Sequence, residues 1–214
     1  MKKIMVSETD ACIPVPPDPN NFNQSCELPH GLTVDHIQMA LQEYVDFLGF
    51  INSQLNTRNM PRLESFLMPA NFSSMVGEFM NSIIPKHCKS LVKNQYHNGH
   101  PDLIPANKFP NDSVQYSDVG LEVKGSRHLS GWQGHNAEAV WLMVFCFDSN
   151  TSNDAKKDIG PKKFKFKAVY AAQLELDDWN FSGRSETSRR TITASVTKSG
   201  VQKMKSNWVY EDLS

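Results

Sequence analysis

The most restrictive stretch of this 214-residue chain is WLMVFCFD, residues 141–148. It is apolar without interruption up to Asp148 and has the length of a strand. A strand with one face in water alternates apolar and polar side chains, so an unbroken run fits a central strand covered on both faces. Its neighbours in sequence read as further strands. In VGLEVKG (119–125), Val119, Leu121 and Val123 share one face, while Asp118, Gly120, Glu122 and Lys124 share the other. FKFKAVYAAQLEL (164–176) opens with apolar–basic alternation, and RRTITASVT (189–197) alternates again.

Helical patterning lies mainly upstream. Val34, Ile37, Leu41, Tyr44, Leu48, Ile51 and Leu55 recur at steps of three and four, which predicts an amphipathic helix over 33–58 with Thr33 as N-cap. Such a stripe suits a core face or a dimer seam. A second helix is expected over 73–84, ending before Pro85, and a short helix or turn over 198–208. Residues 1–31 carry Pro14, Pro16, Pro17, Pro19 and Pro29, and read as an irregular arm rather than a packed element. Helices followed by strands with few crossovers predict an α/β or α+β domain, with a mixed central sheet of about five strands flanked by helices.

Composition bounds the class. With 39% hydrophobic residues, four Trp and twelve Phe, the chain can bury a core and is not of the disordered type. One domain spanning 1–214 is expected. No apolar run approaches the roughly 20 residues that span a bilayer. The start, MKKIMVSETD, has too short an apolar segment for a signal peptide, so the expected compartment is cytoplasmic. Cys12, Cys26, Cys88 and Cys146 lack CxxC spacing and read as free thiols. Cys26 with His30 and His36, or His97 with His100, offers only partial zinc spacing.

The formal charge of −1 conceals an asymmetry: residues 156–205 hold twelve Lys/Arg against five Asp/Glu. A polyanion-binding face requires such a basic segment, although a solvated charged surface is the plainer reading. Arg184, Arg189 and Arg190 stand among Ser, Thr and Gly, a mixture suited to phosphates and base edges. Lys198, Lys203 and Lys205 extend the polarity. Lys162, Lys163, Lys165 and Lys167 would either track a backbone or guard a sheet edge. Trp179 and Phe181 are assigned to packing.

Pro101-Asp102 and, twenty positions after that aspartate, Glu122-Val123-Lys124 form the chemical constellation. Neither element is distinctive alone, since Pro17-Asp18 and Asp154-Ala155-Lys156 repeat the patterns. Context separates them. Asp154 falls in the polar loop 149–163, whereas Glu122 and Lys124 project from the same face of a predicted strand. Turn-forming Pro105, Pro110 and Asn111-Asp112 let the chain return, bringing Asp102 near Glu122. Two carboxylates suit a hard divalent cation with phosphate and water as its other ligands, and an ammonium beside them stabilises charge building on a phosphate. The following loop, GSRHLSGWQGHN (125–136), has three Gly that would allow close backbone approach to a ligand; Arg127, His128, Gln133 and His135 add donors.

These residues resemble the PD-(D/E)xK nuclease superfamily, and the small size with a basic C-terminal part resembles its type II restriction endonucleases. The resemblance implies that Asp102 and Glu122 bind Mg²⁺ and that Lys124 sits by the attacking water. It implies a helix-borne acidic ligand as well, for which Glu78 is the nearest equivalent. The implied partner is double-stranded DNA, cut by a homodimer in which the 33–58 helix would serve as the seam; DNA contacts would come from Arg127, Gln133, His135, Arg184, Arg189, Arg190 and Lys198. Residues 1–31 would form an arm and 156–205 the DNA-facing segment of one restriction-endonuclease-like domain. One departure is expected, because the loop after Lys124 is too Gly-rich for a long helix before the next strand. The other readings are a structure-specific repair nuclease, a non-catalytic nucleic-acid-binding module, and an HNH-type nuclease using His97, Asn98 and His100.

Overall fold

The computed structural model describes residues 6–134, 137–181 and 194–213. In chain order its elements are α1 (Glu8–Ala11), α2 (Val34–Asn56), α3 (Leu63–Phe66), α4 (Pro69–His87), β1 (Leu91–Lys93), β2 (Leu103–Pro105), β3 (Leu121–Ser126), β4 (Gln133–Gly134), β5 (Trp141–Asp148), β6 (Lys165–Gln173), β7 (Trp179–Phe181), β8 (Ala194–Val196), α5 (Lys198–Ser206) and β9 (Trp208–Glu211). A six-stranded mixed sheet runs β1-β2-β3-β5-β6-β9, and a small antiparallel sheet runs β4-β8-β7. Only β3 and β5 pair in parallel within the large sheet. The fold is mixed α/β, with one strand more in the main sheet than the sequence predicts. The connection from β3 to the parallel β5 contains β4 and, among the described residues, no helix, as the glycine-rich loop foretells.

The apolar run of β5 is accounted for by its position. Met143, Phe145 and Phe147 enter a core built with α2 and α4, while Leu142, Val144 and Cys146 enter a second core with Trp132, Tyr170, Trp179 and Met204. Both faces are therefore dry, and the layers are helices, large sheet, then small sheet with α5.

The long helix forms where the stripe predicts. Thr33 Oγ1 accepts from the His36 amide, and His36 Nδ1 accepts from the Thr33 amide, so two terminal N–H groups are satisfied reciprocally. Its stripe is buried from Val34 through Leu48 inside this chain, which removes that face as a dimer seam. Further along, the buried position is Asn52 rather than Ile51 or Leu55, because 3.6 residues per turn carry the core-facing line from Leu48 to residue 52. The second helix is longer than expected at both ends. Pro69 occupies its first turn, where no N–H is needed, and Pro85 lies in its last turn, where the Cys88 amide still bonds the Ile84 carbonyl at 2.9 Å. Buried Ile83 and Ile84 hold that turn in place.

The N-terminal residues are irregular but packed, contrary to the arm expected. The Val15 amide bonds the Phe164 carbonyl, the Asn23 amide bonds the Val209 carbonyl, and Phe22 packs 4.7 Å from the Tyr210 ring. Proline removes donors without preventing burial, and Pro14 and Pro17 are buried. The edge-guarding role for the lysines of β6 also falls away, because β9 pairs with Ala168–Tyr170 and the Asp212 and Val15 amides bond the Lys167 and Phe164 carbonyls.

Arg62 ties this half of the molecule together. Its guanidinium reaches Glu8 at 2.9 Å, Glu64 at 2.5 Å, Asn150 Oδ1 at 2.7 Å and the Lys162 carbonyl at 3.1 Å. Glu64 is fully buried and accepts one further bond, from Asn52 Nδ2. No helix among the described residues is long and apolar enough to cross a membrane.

Candidate functional site

The site arises where β2 leaves β3. These strands pair only through Leu103 and Leu121, so the β3 backbone beyond that point has an open edge. Asp102 closes part of it: its Oδ2 accepts from the Val123 amide at 2.9 Å, in place of a ladder partner. The excursion between the strands is tied down by Asn94, whose side chain bonds the Pro101 carbonyl and both polar groups of Val114. The return depends on Gly120, at φ +148°, where a Cβ would collide with the Leu103 carbonyl and Pro101. Asp102 is thereby set beside β3 despite the long separation in sequence.

Glu122 and Lys124 leave β3 on the same face. Because β3 and β5 run parallel in register, Glu122 beside Leu142 and Lys124 beside Val144, that is the face of the small sheet. On the opposite face α4 approaches closely, and a methyl group at Gly125 would meet the Ser73 carbonyl and lie 2.8 Å from Val76 Cβ. Gly125 thus admits a helix rather than a ligand. The result is a cleft of about 770 Å³ around the open edge of β3, lined by α4, by the segment from Lys93 to His100 that leads into β2, and by Asp102, Glu122, Lys124 and Gln133.

Within it, Lys124 Nζ donates to Glu122 Oε1 at 2.9 Å and His100 Nδ1 lies 3.3 Å from Glu122 Oε2, while Glu138, which does not itself line the cleft, brings Oε1 to 3.7 Å from the same nitrogen. Glu122 and Glu138 are each only 5% exposed. His100, Glu122 and Glu138 offer three donor atoms all within 4.8 Å of one another, so this group can hold a metal ion. In the sequence His100 enters only as a partial zinc ligand with His97 or in an HNH-type reading, not with Glu122, although it stands directly before Pro101-Asp102; Glu138, on the segment leading into β5, carries no signal. Trp179 Nε1 fixes the Glu138 backbone by donating to its carbonyl at 3.0 Å.

The helix-borne contribution also differs. Glu78 is exposed at the rim and accepts from Lys93 Nζ at 2.9 Å. Three residues on, Asn81 lies on the inward side of α4, 2% exposed, and lines the cleft; its side chain bonds Asp102, while its buried Oδ1 has no hydrogen-bond partner. Helical geometry separates the two side chains by about 60° around the axis, enough to exchange rim for interior.

Electrostatics bind the group together. Burial opposes ionisation of Glu122, but His100 and Lys124 overcome it and hold the carboxyl at about 2. The hydrogen bond to Glu122 raises His100 to about 9 against the effect of burial. For Asp102, burial and then the nearby Glu122 charge push the carboxyl up to about 7. Lys124 is raised, since the surrounding carboxylates outweigh desolvation. Linkage then gives a sign. The His100 proton stabilises the fold fully below pH 6.5, and that contribution is lost as pH rises through about 9, while ionising Asp102 costs stability up to about pH 7. In chelator, the thermal midpoint is expected to fall from pH 6.5 to 8.5, with a shallower slope in a His100→Gln variant. Equal slopes for the two proteins would contradict this account.

The expected DNA contacts divide. Arg127 is an internal brace: its guanidinium donates to the Ser149 carbonyl, Ser149 Oγ and the Asn150 carbonyl, with its carbon 5.2 Å from the Phe147 ring centroid. Its long side chain finds buried carbonyls at the end of β5 instead of solvent. Gln133 is exposed and lines the cleft, and Lys198 is exposed at the start of α5. His135, Arg184, Arg189 and Arg190 lie outside the described residues. Trp179 packs in the second core as expected, whereas Phe181 is 55% exposed. Part of the basic segment is engaged with carboxylates, through Lys162–Asp148 at 2.6 Å and Lys203–Asp178 at 3.2 Å. His97 is exposed and does not join the His100 group, and Cys26 is a free thiol.

Compared with protein-family models, curated proteins and solved structures, the chain matches none of them.

Proposed function

We propose that this chain is a metal-dependent endonuclease that hydrolyses phosphodiester bonds of double-stranded DNA in the manner of type II restriction enzymes. The observation that carries the proposal is the convergence of Asp102, Glu122 and Lys124 at the open edge of β3, in a cleft of about 770 Å³. The donor set fits a divalent cation. The same cleft is lined by the carboxylates of Asp102 and Glu122 and by Asn81, whose buried Oδ1 has no donor, and an acceptor without a donor suits a cation. Asp102 and Glu122 are the oxygen donors that suit Mg²⁺.

The division of labour follows from the geometry. A bound divalent ion supplies charge that polarises a phosphodiester and acidifies water. Asp102 is held by the Val123 amide and by burial, so its carboxylate keeps one orientation. Lys124, aligned by Glu122, presents fixed positive charge to a phosphate where negative charge develops, which a preorganised site does without reorganisation. Gln133 and Lys198, with the arginines of 184–190, are the candidate contacts to DNA. A homodimer would place two such clefts on the two strands, and the outer face of α2 carries exposed Met39 and Phe50.

The test is direct. Long unmodified duplex DNA incubated with the protein is expected to yield discrete bands with Mg²⁺ or Mn²⁺ and none in chelator. A smear would replace site specificity by a repair-type or nonspecific nuclease. Intact DNA with a gel shift would replace catalysis by binding alone.

A further inference from the structure

Imidazole is a poor ligand for Mg²⁺, yet an imidazole lines this cleft beside two buried carboxylates. His100 Nδ1 is 3.3 Å from Glu122 Oε2 and 3.7 Å from Glu138 Oε1. Donor atoms that share one ion at about 2.1 Å lie about 3.0 Å apart in cis octahedral positions and about 3.4 Å apart in a tetrahedron. The two spacings from His100 need only a few tenths of an ångström of adjustment, and all three donor atoms lie within 4.8 Å of one another. Both carboxylates are buried, so water does not solvate this group as it would an exposed acidic patch. On the Asp102 side of the same cleft, Asn81 adds a buried carboxamide oxygen with no partner, an acceptor that a cation would satisfy.

We propose that His100, Glu122 and Glu138 form a metal position selective for a first-row transition ion such as Mn²⁺ over Mg²⁺, with His100 the discriminating residue. The inference deepens the nuclease reading by naming the ion of the same cleft, and rests on that cleft being metal-dependent. Mg²⁺ demands oxygen ligands and dehydrates reluctantly, whereas first-row transition ions take imidazole nitrogen beside carboxylate oxygen, Mn²⁺ being the one among them that most favours carboxylate. Glu122 is common to this group and to the Asp102–Lys124 side of the cleft, through Oε2 toward His100 and Oε1 toward Lys124. An ion held by His100 is therefore adjacent to the proposed reaction centre.

The experiment titrates the chelator-stripped 214-residue chain with MnCl₂, reading the electron paramagnetic resonance signal of free Mn²⁺, and then competes with MgCl₂. Wild-type protein is expected to bind Mn²⁺ at least about 10-fold more tightly than Mg²⁺. His100→Gln should lose about 10- to 100-fold in Mn²⁺ affinity, the scale of losses at metal-site residues, while Mg²⁺ affinity changes little. His100→Asp should retain an ion and move the preference toward Mg²⁺. Circular dichroism establishes that each variant is folded. Equal wild-type affinities for the two ions overturn the proposal whether or not any variant folds, and so does a folded His100→Gln protein with undiminished Mn²⁺ binding. Nucleic acid takes no part in the titration. A Mn²⁺-selective protein that cuts no DNA would keep this site and sink the nuclease reading, and cleavage without Mn²⁺ preference would do the reverse.

Discussion

Lys124→Ala is expected to lower the rate of DNA cleavage by about 10²- to 10³-fold, the scale seen when one preorganised electrostatic group is removed from a transition state. DNA affinity should change only a few-fold, because the proposed contacts lie largely on other residues. The structure makes the variant informative. Glu122 loses its bond from Lys124 Nζ but keeps His100 on its other oxygen, so the cleft need not collapse. Removing a positive charge beside the carboxylates should also leave divalent-ion affinity equal or higher. Loss of cleavage with retained ion binding would therefore assign Lys124 to the chemistry. Lys124 as a structural counter-ion predicts the opposite pattern, a lower thermal midpoint with cleavage retained below it. Single-turnover cleavage, ion titration and thermal melts on one preparation separate the two.

The second large effect concerns stability and lies away from the cleft. Arg62→Met should destabilise the fold by about 3–5 kcal/mol, the usual consequence of leaving one partner of a buried ion pair alone. Glu64 is fully buried, and Asn52 is then its only remaining side-chain partner among the described residues. Asn150 and Glu8 lose the guanidinium that joins the N-terminal segment to the loop after β5. Adding Glu64→Met should recover most of the loss, since two apolar side chains of similar volume need no hydrogen bonds. Urea unfolding of the single and double variants measures both. A single-variant loss below about 1 kcal/mol, or a double variant worse than the single, would show that the pair does not organise this region.

Much of the architecture was legible because it rests on periodicity. The unbroken apolar run of β5, the alternation of β3 and the stripe of α2 each record how many faces an element buries, and burial is what the structure shows. Thr33 was legible as a cap because capping is local, decided within three residues. Pro85 misled because a proline near a helix end forfeits little, and the neighbouring isoleucines decide. The N-terminal segment misled for a related reason, since proline-rich chain can still lie in a groove and bury Phe22.

At the site, the chain by itself determined that Glu122 and Lys124 share a face, because a strand alternates and no partner can change that. Turn residues between Pro105 and Asp112 also made a return of Asp102 reasonable. Tertiary structure decided the rest. That Asp102 caps the Val123 amide depends on β2 pairing with β3 at one position and then diverging. That Asn81 faces the cleft while Glu78 meets Lys93 depends on how α4 is rotated against Gly125. Arg127 turned inward because the end of β5 offers carbonyls within its reach. His100 and Glu138 meet Glu122 only because the segments before β2 and before β5 end at the same side of the sheet. Local backbone geometry is written into neighbouring residues, whereas a ligand set drawn from three segments exists only after long-range packing has brought them within a few ångströms.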